Sequence, residues 1–266
     1  MQRPFDADVI VAGAGPAGAA TAILLRQRGV RVLLLDWQSF PRDKVCGDFL
    51  SAVALSELQT LGIARQVQRQ SNVIKHAGVW LDGRHLLTSP MPRTAEFPRF
   101  GCVIPRKVLD NLLLSKALTD GAQLAAGYRA IGYRTTPRHV EVDVQVAGQV
   151  RVLRAHALVG ADGSTSVIAR QLRGEPAIER DRVIAVRAYF DGVAGPADRA
   201  DLYFSTAAFP GYAWLFPTAA SSANVGVGMV LKTLPASEEH LPTLLQQLVR
   251  SDSALSARLI GATLSL

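Results

Sequence analysis

Residues 40–50, FPRDKVCGDFL, set a thiol among charges: Arg42, Asp43 and Lys44 precede Cys46, and Gly47 and Asp48 follow it. The thiolate is the reactive form of cysteine, and a neighbouring cation favours it. Cys46 therefore has the makings of a nucleophile, a redox thiol, a metal ligand or a proton donor. It has equally those of a small residue that lets a loop close tightly. A second set of residues makes a more specific demand. Gly13-Ala14-Gly15-Pro16-Ala17-Gly18 reads G-x-G-x-x-G, and Asp36 stands eighteen residues beyond it. At that spacing Gly13 makes a tight turn, Gly15 admits a pyrophosphate to the backbone, Gly18 lets a helix pack on a strand, and Asp36 accepts hydrogen bonds from a ribose. A third set is apolar. Tyr212, Trp214 and Phe216 alternate, so on a strand they project to one face as a wall for a flat ring or a long chain, or as the core of a second sheet.

The elements needed to position these groups are legible. Val9–Ala12 is a short β-branched run expected as a buried strand, and Pro16 suits the first turn of a helix, where its missing N–H costs nothing. That helix should end near Gly29, and VRVLLL returns as a second strand closed by Asp36. RKVLDNLLLSKAL, 106–118, predicts an amphipathic helix with Leu109, Leu112, Leu113 and Ala117 on one face. HALVGADGSTSVIARQL, 156–172, predicts a buried strand, a turn at Gly160-Ala161-Asp162-Gly163 and another helix. SEEHLPTLLQQLVRS, 237–251, predicts a helix capped by Ser237 with Leu241, Leu244, Leu245 and Leu248 on one face.

Composition narrows the class. The 266 residues are 48% hydrophobic and 19% charged, which argues against disorder, and the net charge of +7 is scattered rather than blocked. No nucleic-acid partner is expected; the excess charge points to mild attraction for anions, such as nucleotide phosphates or an acidic membrane surface. Cys46 and Cys102 form neither a disulfide framework nor a zinc site by spacing, so no metal, no disulfide-linked partner and a reducing cytoplasmic location are expected. No stretch reaches the roughly 18 uninterrupted apolar residues of a membrane span, which leaves peripheral membrane association open.

Taken together, the G-x-G-x-x-G turn, Arg106 at a helix start and the G-A-D-G-S-T-S-V-I-A-R run to Arg170 resemble the FAD-dependent oxidoreductases of the p-hydroxybenzoate hydroxylase fold. Within that group the chain is most similar to the geranylgeranyl reductase family. Its P-x-x-K-x-C-G loop is matched by Pro41 to Gly47, and its Y-x-W-x-F-P…G-x-G element by Tyr212, Trp214, Phe216, Pro217, Gly226 and Gly228. Ala52 stands where many relatives have proline, a departure expected to be tolerated.

The resemblance implies an α/β chain, a Rossmann-like FAD-binding domain (1–73 and 101–178) interleaved with an antiparallel-sheet substrate domain (74–100 and 179–266). It implies FAD held by Gly13, Gly15, Pro16, Ala17, Gly18, Asp36, Arg42, Lys44, Cys46, Gly47, Asp48, Arg106, Asp162 and Gly163, with the 40–50 loop approaching the flavin ring. It implies a small lipophilic substrate along Tyr212, Trp214, Phe216, Pro217, Gly226 and Gly228, with Cys46 as the catalytic candidate. NAD(P)H or a small redox protein would supply electrons, and the reaction would be hydride transfer to a C=C bond of a geranylgeranyl or polyprenyl chain. The fold also admits flavin monooxygenases and halogenases; the W-x-W-x-I-P element usual in halogenases is departed from at Tyr212 and Phe216. A third FAD segment of the family, G-D-A-A-G, has no match in the 266 residues, so the chain reads as a C-terminally shortened member, and weakened FAD binding or an inactive fragment is the remaining expectation.

Overall fold

A computed structural model describes residues 5–92, 98–174, 183–206, 211–230 and 241–265. Contacts divide the chain into two compact units, one of Met1–Arg42 with Lys107–Ala177 and one of Asp43–Arg106 with Ile178–Leu266. Elements are numbered in chain order.

The first unit is built on the strand, turn and helix read from the sequence: β1 (Val9–Ala12), α1 (Pro16–Arg26) and β2 (Val32–Asp36). After α4 (Arg106–Thr119) the chain adds β8 (Gln123–Ala126), β9 (Arg129–Thr135), β10 (Val140–Val146), β11 (Gln149–Ala155), β12 (Ala157–Gly160) and α5 (Val167–Arg173). A four-stranded parallel sheet has the order β12-β1-β2-β8, so the G-x-G-x-x-G turn leaves a strand paired on both sides. Val140, Val142 and Val144 alternate on β10 and bury against Ile10 and Leu35, which packs the β11-β10-β9 sheet on the parallel one. In α4 the four predicted residues Leu109, Leu112, Leu113 and Ala117 are all buried.

The second unit holds β3 (Phe49–Leu50), α2 (Ala52–Thr60), α3 (Ala64–Arg69), β4 (Asn72–Ile74), β5 (His76–Leu81), β6 (Arg84–Pro90) and β7 (Gly101–Val103). It continues with β13 (Val183–Asp191), β14 (Arg199–Phe204), β15 (Gly211–Pro217), β16 (Ser222–Val230), α6 (Leu241–Ser251), α7 (Ser253–Arg258) and β17 (Thr263–Ser265). Its main sheet has seven strands in the order β17-β13-β16-β15-β14-β5-β6. The segments 43–73 and 101–106, read from the sequence as nucleotide-binding, cluster by contacts with this unit: β3 and β4 pair with β7, and the Cys46 to Asp48 turn is bonded to Tyr189 of β13 and Asn224 of β16. One face of the sheet carries the core: Leu215, Val225 and Val227 bury together with Leu245, Leu255 and Leu259. Ser51 caps α2 through the Ala54 N–H, which makes Ala52 the first helical residue. Proline is tolerated there and alanine is a good helix former, so the departure at position 52 needs no compensation. Leu245 is buried and Leu248 packs against the same core, while the predicted cap Ser237 lies outside the described residues, as do the side chains of Leu241 and Leu244.

Candidate active site

In the first unit the three glycines do different physical work. Gly13 has φ +102, and a Cβ there would overlap the Ala161 carbonyl, so the turn after β1 lies directly against the turn after β12. A Cβ on Gly18 would overlap the Gly13 carbonyl, which seats α1 on its own entry turn. Gly15 is the N-cap of α1 with no side-chain cap, and Pro16 follows it, so the first-turn amides Ala17 N–H and Gly18 N–H take no intrahelical partner. Asp36 is buried at the end of β2 and accepts from Ala14 N–H (2.9 Å) and Gln38 N–H (2.9 Å). Each carboxylate oxygen has two lone pairs, so these bonds orient Asp36 and leave acceptor capacity for a ribose.

Arg42 completes this cradle. A Cβ on Gly15 would come 3.2 Å from its Nη2, which puts the guanidinium at the start of α1. Arg42 sits 3.9 Å from Asp110 and 4.9 Å from the centre of the Phe40 ring, and its buried Nε has no hydrogen-bond partner. An orphaned guanidinium donor beside uncapped helix amides fits a bound pyrophosphate. Asp162 is bonded within its own turn: it accepts from Ser166 Oγ (2.5 Å) and Val167 N–H (2.8 Å) at the start of α5, where Ser166 in turn caps Ala169 N–H (2.9 Å). Gly163, at φ +86, turns the chain between them. Trp37, which the sequence did not single out, is 62% exposed next to Asp36, with the Arg129 guanidinium 6.0 Å from its ring centre.

In the second unit an apolar cavity of about 580 Å³ is lined by Cys46, Phe49, Tyr212, Trp214, Phe216 and Gly228, among others. That volume is in the range of small-molecule sites. The alternating aromatics do share a face, with neighbouring ring centres 6.1 Å apart. Gly226 lies directly across from Trp214 in the β15–β16 ladder, and a Cβ there would run into the indole ring. Gly228 pairs with Tyr212 and is open, with its nearest neighbours at 3.6 Å. Pro217 ends β15, and its carbonyl accepts from Asn72 Nδ2 (2.9 Å). Cys102 is buried in β7 and has no part in the cavity.

A polar network behind this wall holds the cysteine loop. Asp48 is 2% exposed at φ +64 and accepts from Tyr189 Oη (2.6 Å), Asn224 Nδ2 (2.7 Å) and the Arg106 backbone N–H (3.2 Å). Burial pushes its carboxyl above the ordinary range, against the lowering effect of those hydrogen bonds. Burial and the Asp48 acceptor push the Tyr189 hydroxyl up as well. Asn224 Nδ2 also donates to the Cys46 carbonyl (2.8 Å), and Asn224 Oδ1 accepts from Trp214 Nε1 (2.8 Å). Arg187 pairs with Asp43 and stacks 4.3 Å from the Tyr189 ring centre, while Lys44 is exposed. Tyr189, Asn224 and Arg187 were not anticipated: each is a polar residue in a strand, and its partner lies more than a hundred positions away.

A family model described as an FAD binding domain matches residues 6–221, and one described as a geranylgeranyl reductase catalytic domain matches 181–263. A menaquinone reductase of Mycolicibacterium smegmatis is 34% identical over 233 residues, 84% of this chain and 54% of that protein. A digeranylgeranylglycerophospholipid reductase of Methanopyrus kandleri is 32% identical over 235 residues, 84% of this chain and 57% of that protein. The chain thus spans little more than half the length of these relatives. Among solved structures, a geranylgeranyl bacteriochlorophyll reductase-like protein from Thermoplasma acidophilum superposes with a TM-score of 0.83 at 22% identity, covering 98% of this chain and 64% of that one, a likeness of fold.

Proposed function

Because the chain belongs to the FAD-binding-domain family and residues 181–263 match the geranylgeranyl reductase catalytic domain, we propose that it is the flavin- and substrate-holding part of a reductase acting on C=C bonds of a polyprenyl chain. The observation that carries this is the apolar cavity walled by Tyr212, Trp214 and Phe216, with Cys46 among its lining residues. The molecules named for the relatives, menaquinone and a digeranylgeranyl phospholipid, share an isoprenoid tail and differ in everything else. An apolar wall without charged side chains suits the shared part.

In this reading the first unit binds the dinucleotide. Ala17 and Gly18 N–H with Arg42 would hold the pyrophosphate, Asp36 would hold the adenosine ribose, and the exposed face of Trp37 would take the adenine. Reduced FAD supplies the hydride. The aromatic wall excludes water and holds the chain extended, and Cys46 Sγ delivers the proton to the neighbouring carbon, so the alkene gains one hydride and one proton. NAD(P)H or a small redox protein would be the electron donor. No described helix is long and apolar enough to cross a membrane.

The test is turnover of the flavin-loaded parent and of Cys46→Ala and Cys46→Ser under anaerobic conditions. Loss of at least about a hundredfold in Cys46→Ala, the usual scale of general-acid catalysis, is expected. An unchanged rate would remove Cys46 from the chemistry and leave it as a close-packing loop residue.

A further inference from the structure

We propose that Asn224 is a positioning residue whose side-chain amide locks the Cys46 loop and the Trp214 ring into one unit. The proposal rests on reading the cavity as the substrate site. The 43–48 loop is tied to the sheet at both ends, by Asp43 to Arg187 and by Asp48 to Tyr189. Asn224 alone among the described residues also grips its middle, through the Cys46 carbonyl, and the same amide reaches the aromatic wall. It is wholly buried on β16 between Ala223 and Val225, which face a hydrophobic core.

The chemistry is selective for an amide. Two N–H donors serve Cys46 O and Asp48 Oδ2, while the oxygen serves the Trp214 N–H. An aspartate has the acceptor and no donors, and a leucine of similar shape has neither. The loop and the wall also touch: a Cβ on Gly47 would lie 2.9 Å from Phe216 Cε2 and 3.3 Å from Trp214 Nε1. Asp48 holds φ +64, a conformation that costs energy in a non-glycine residue and persists only where surrounding contacts over-determine it. A fully satisfied buried network selects one arrangement. The Cys46 backbone therefore cannot shift without disturbing the amide that orients Trp214.

The experiment is alkylation of the full chain by a small haloacetamide, with Cys46 and Cys102 followed separately by mass spectrometry. Cys102 is wholly buried and reports any global opening. In Asn224→Ala, Cys46 alkylation is expected to rise about tenfold, the equivalent of about 1.4 kcal/mol and the order of one or two lost hydrogen bonds, with Cys102 unreacted. The indole N–H resonance of Trp214, assigned by its absence in Trp214→Phe, should move at the same time. A Cys46 rate within about twofold of the parent, with Cys102 silent, overturns the proposal. If Asn224→Ala exposes Cys102, Trp214→Phe decides, since it keeps an aromatic ring in the wall and Asn224 in place while removing the indole N–H that orients the amide. A rise of about threefold in Cys46 alkylation then supports the lock, and no rise overturns it. The measurement needs neither flavin nor substrate, so its failure leaves the reductase reading standing, and failure of that reading leaves the thiol result intact.

Discussion

Gly226 and Gly228 sit two residues apart on one face of β16, yet alanine should act in opposite directions at the two positions. A Cβ on Gly226 would lie 2.6 Å from the Val186 carbonyl and 2.7 Å from Trp214 Cε2. The first neighbour is backbone in the adjacent strand, and the second is a ring that is 5% exposed and hydrogen-bonded to Asn224, so neither yields easily. Overpacking of this kind costs about 1–3 kcal/mol. At Gly228 the nearest atoms are the Ile184 carbonyl oxygen and Trp214 Cζ3, both at 3.6 Å, which is ordinary contact. Neither glycine has positive φ, so alanine there loses less chain entropy on folding and gains roughly 0.4–1 kcal/mol. For a chain of this size the expected result is a melting temperature lower by roughly 2–12 °C in Gly226→Ala and equal or higher in Gly228→Ala. Thermal unfolding followed by tryptophan emission measures both. Gly228→Ala should still weaken substrate binding, since its methyl enters the cavity. Equal destabilisation by the two variants would refute the reasoning, because it would mean that the indole does not rest on Gly226.

Three further outcomes are expected. Gly18→Ala, whose Cβ would overlap the Gly13 carbonyl, should abolish FAD binding or folding, while Gly15→Ala, which meets only the mobile end of Arg42 at 3.2 Å, should keep the fold and weaken FAD; flavin titration with thermal melts separates them. Removing the exposed face of Trp37 by Trp37→Ala should weaken ADP binding about 5–150-fold, on the scale of about 1–3 kcal/mol for stacking on a base, and ADP should quench tryptophan emission in the parent and not in the variant. Asp48 gives a pH signature. Its carboxyl is raised above the ordinary 3.8, so the folded chain binds that proton more tightly than the unfolded chain. The stabilisation it contributes is fully present below 3.8 and is lost as pH rises through the raised folded value. Urea midpoints across that window should show this decline in the parent and not in Asp48→Asn.

What could be read from the sequence had local causes. The G-x-G-x-x-G turn, Asp36 and Pro16 report their surroundings within a few dozen positions, and the alternation at 212, 214 and 216 needs only a strand to become a wall. The α4 face followed from its periodicity in the same way. The network that steadies the cysteine loop left no such trace. Asn224 meets Cys46 and Asp48 from 178 and 176 positions away, and Tyr189 meets Asp48 across 141, so only the strand pairing of β13 with β16 brings them together. Asp48 read as a loop carboxylate beside a thiol, and its burial depends on that pairing. The segment 43–73 looked continuous with the nucleotide-binding strands before it, because its ties to β13 and β16, from Asp48 to Tyr189 and Asn224, reach across 141 and 176 positions. Asp162 matched a cofactor motif, and its carboxylate is committed to the start of α5, where a Ser-Thr-Ser run alone suggested no more than a cap.

The most direct test of the central claim is a single-turnover experiment on the flavin-loaded chain. The flavin is reduced without oxygen and mixed with a polyprenyl lipid, and the band near 450 nm (about the position for an oxidised flavin) is followed while the lipid is weighed by mass spectrometry. Return of the band without oxygen, matched by a lipid heavier by the hydride and the proton added across one C=C bond, is the predicted result. Return of the band only when oxygen is admitted, with the lipid unsaturation untouched, would contradict it and place the chain among oxygen-using flavoproteins.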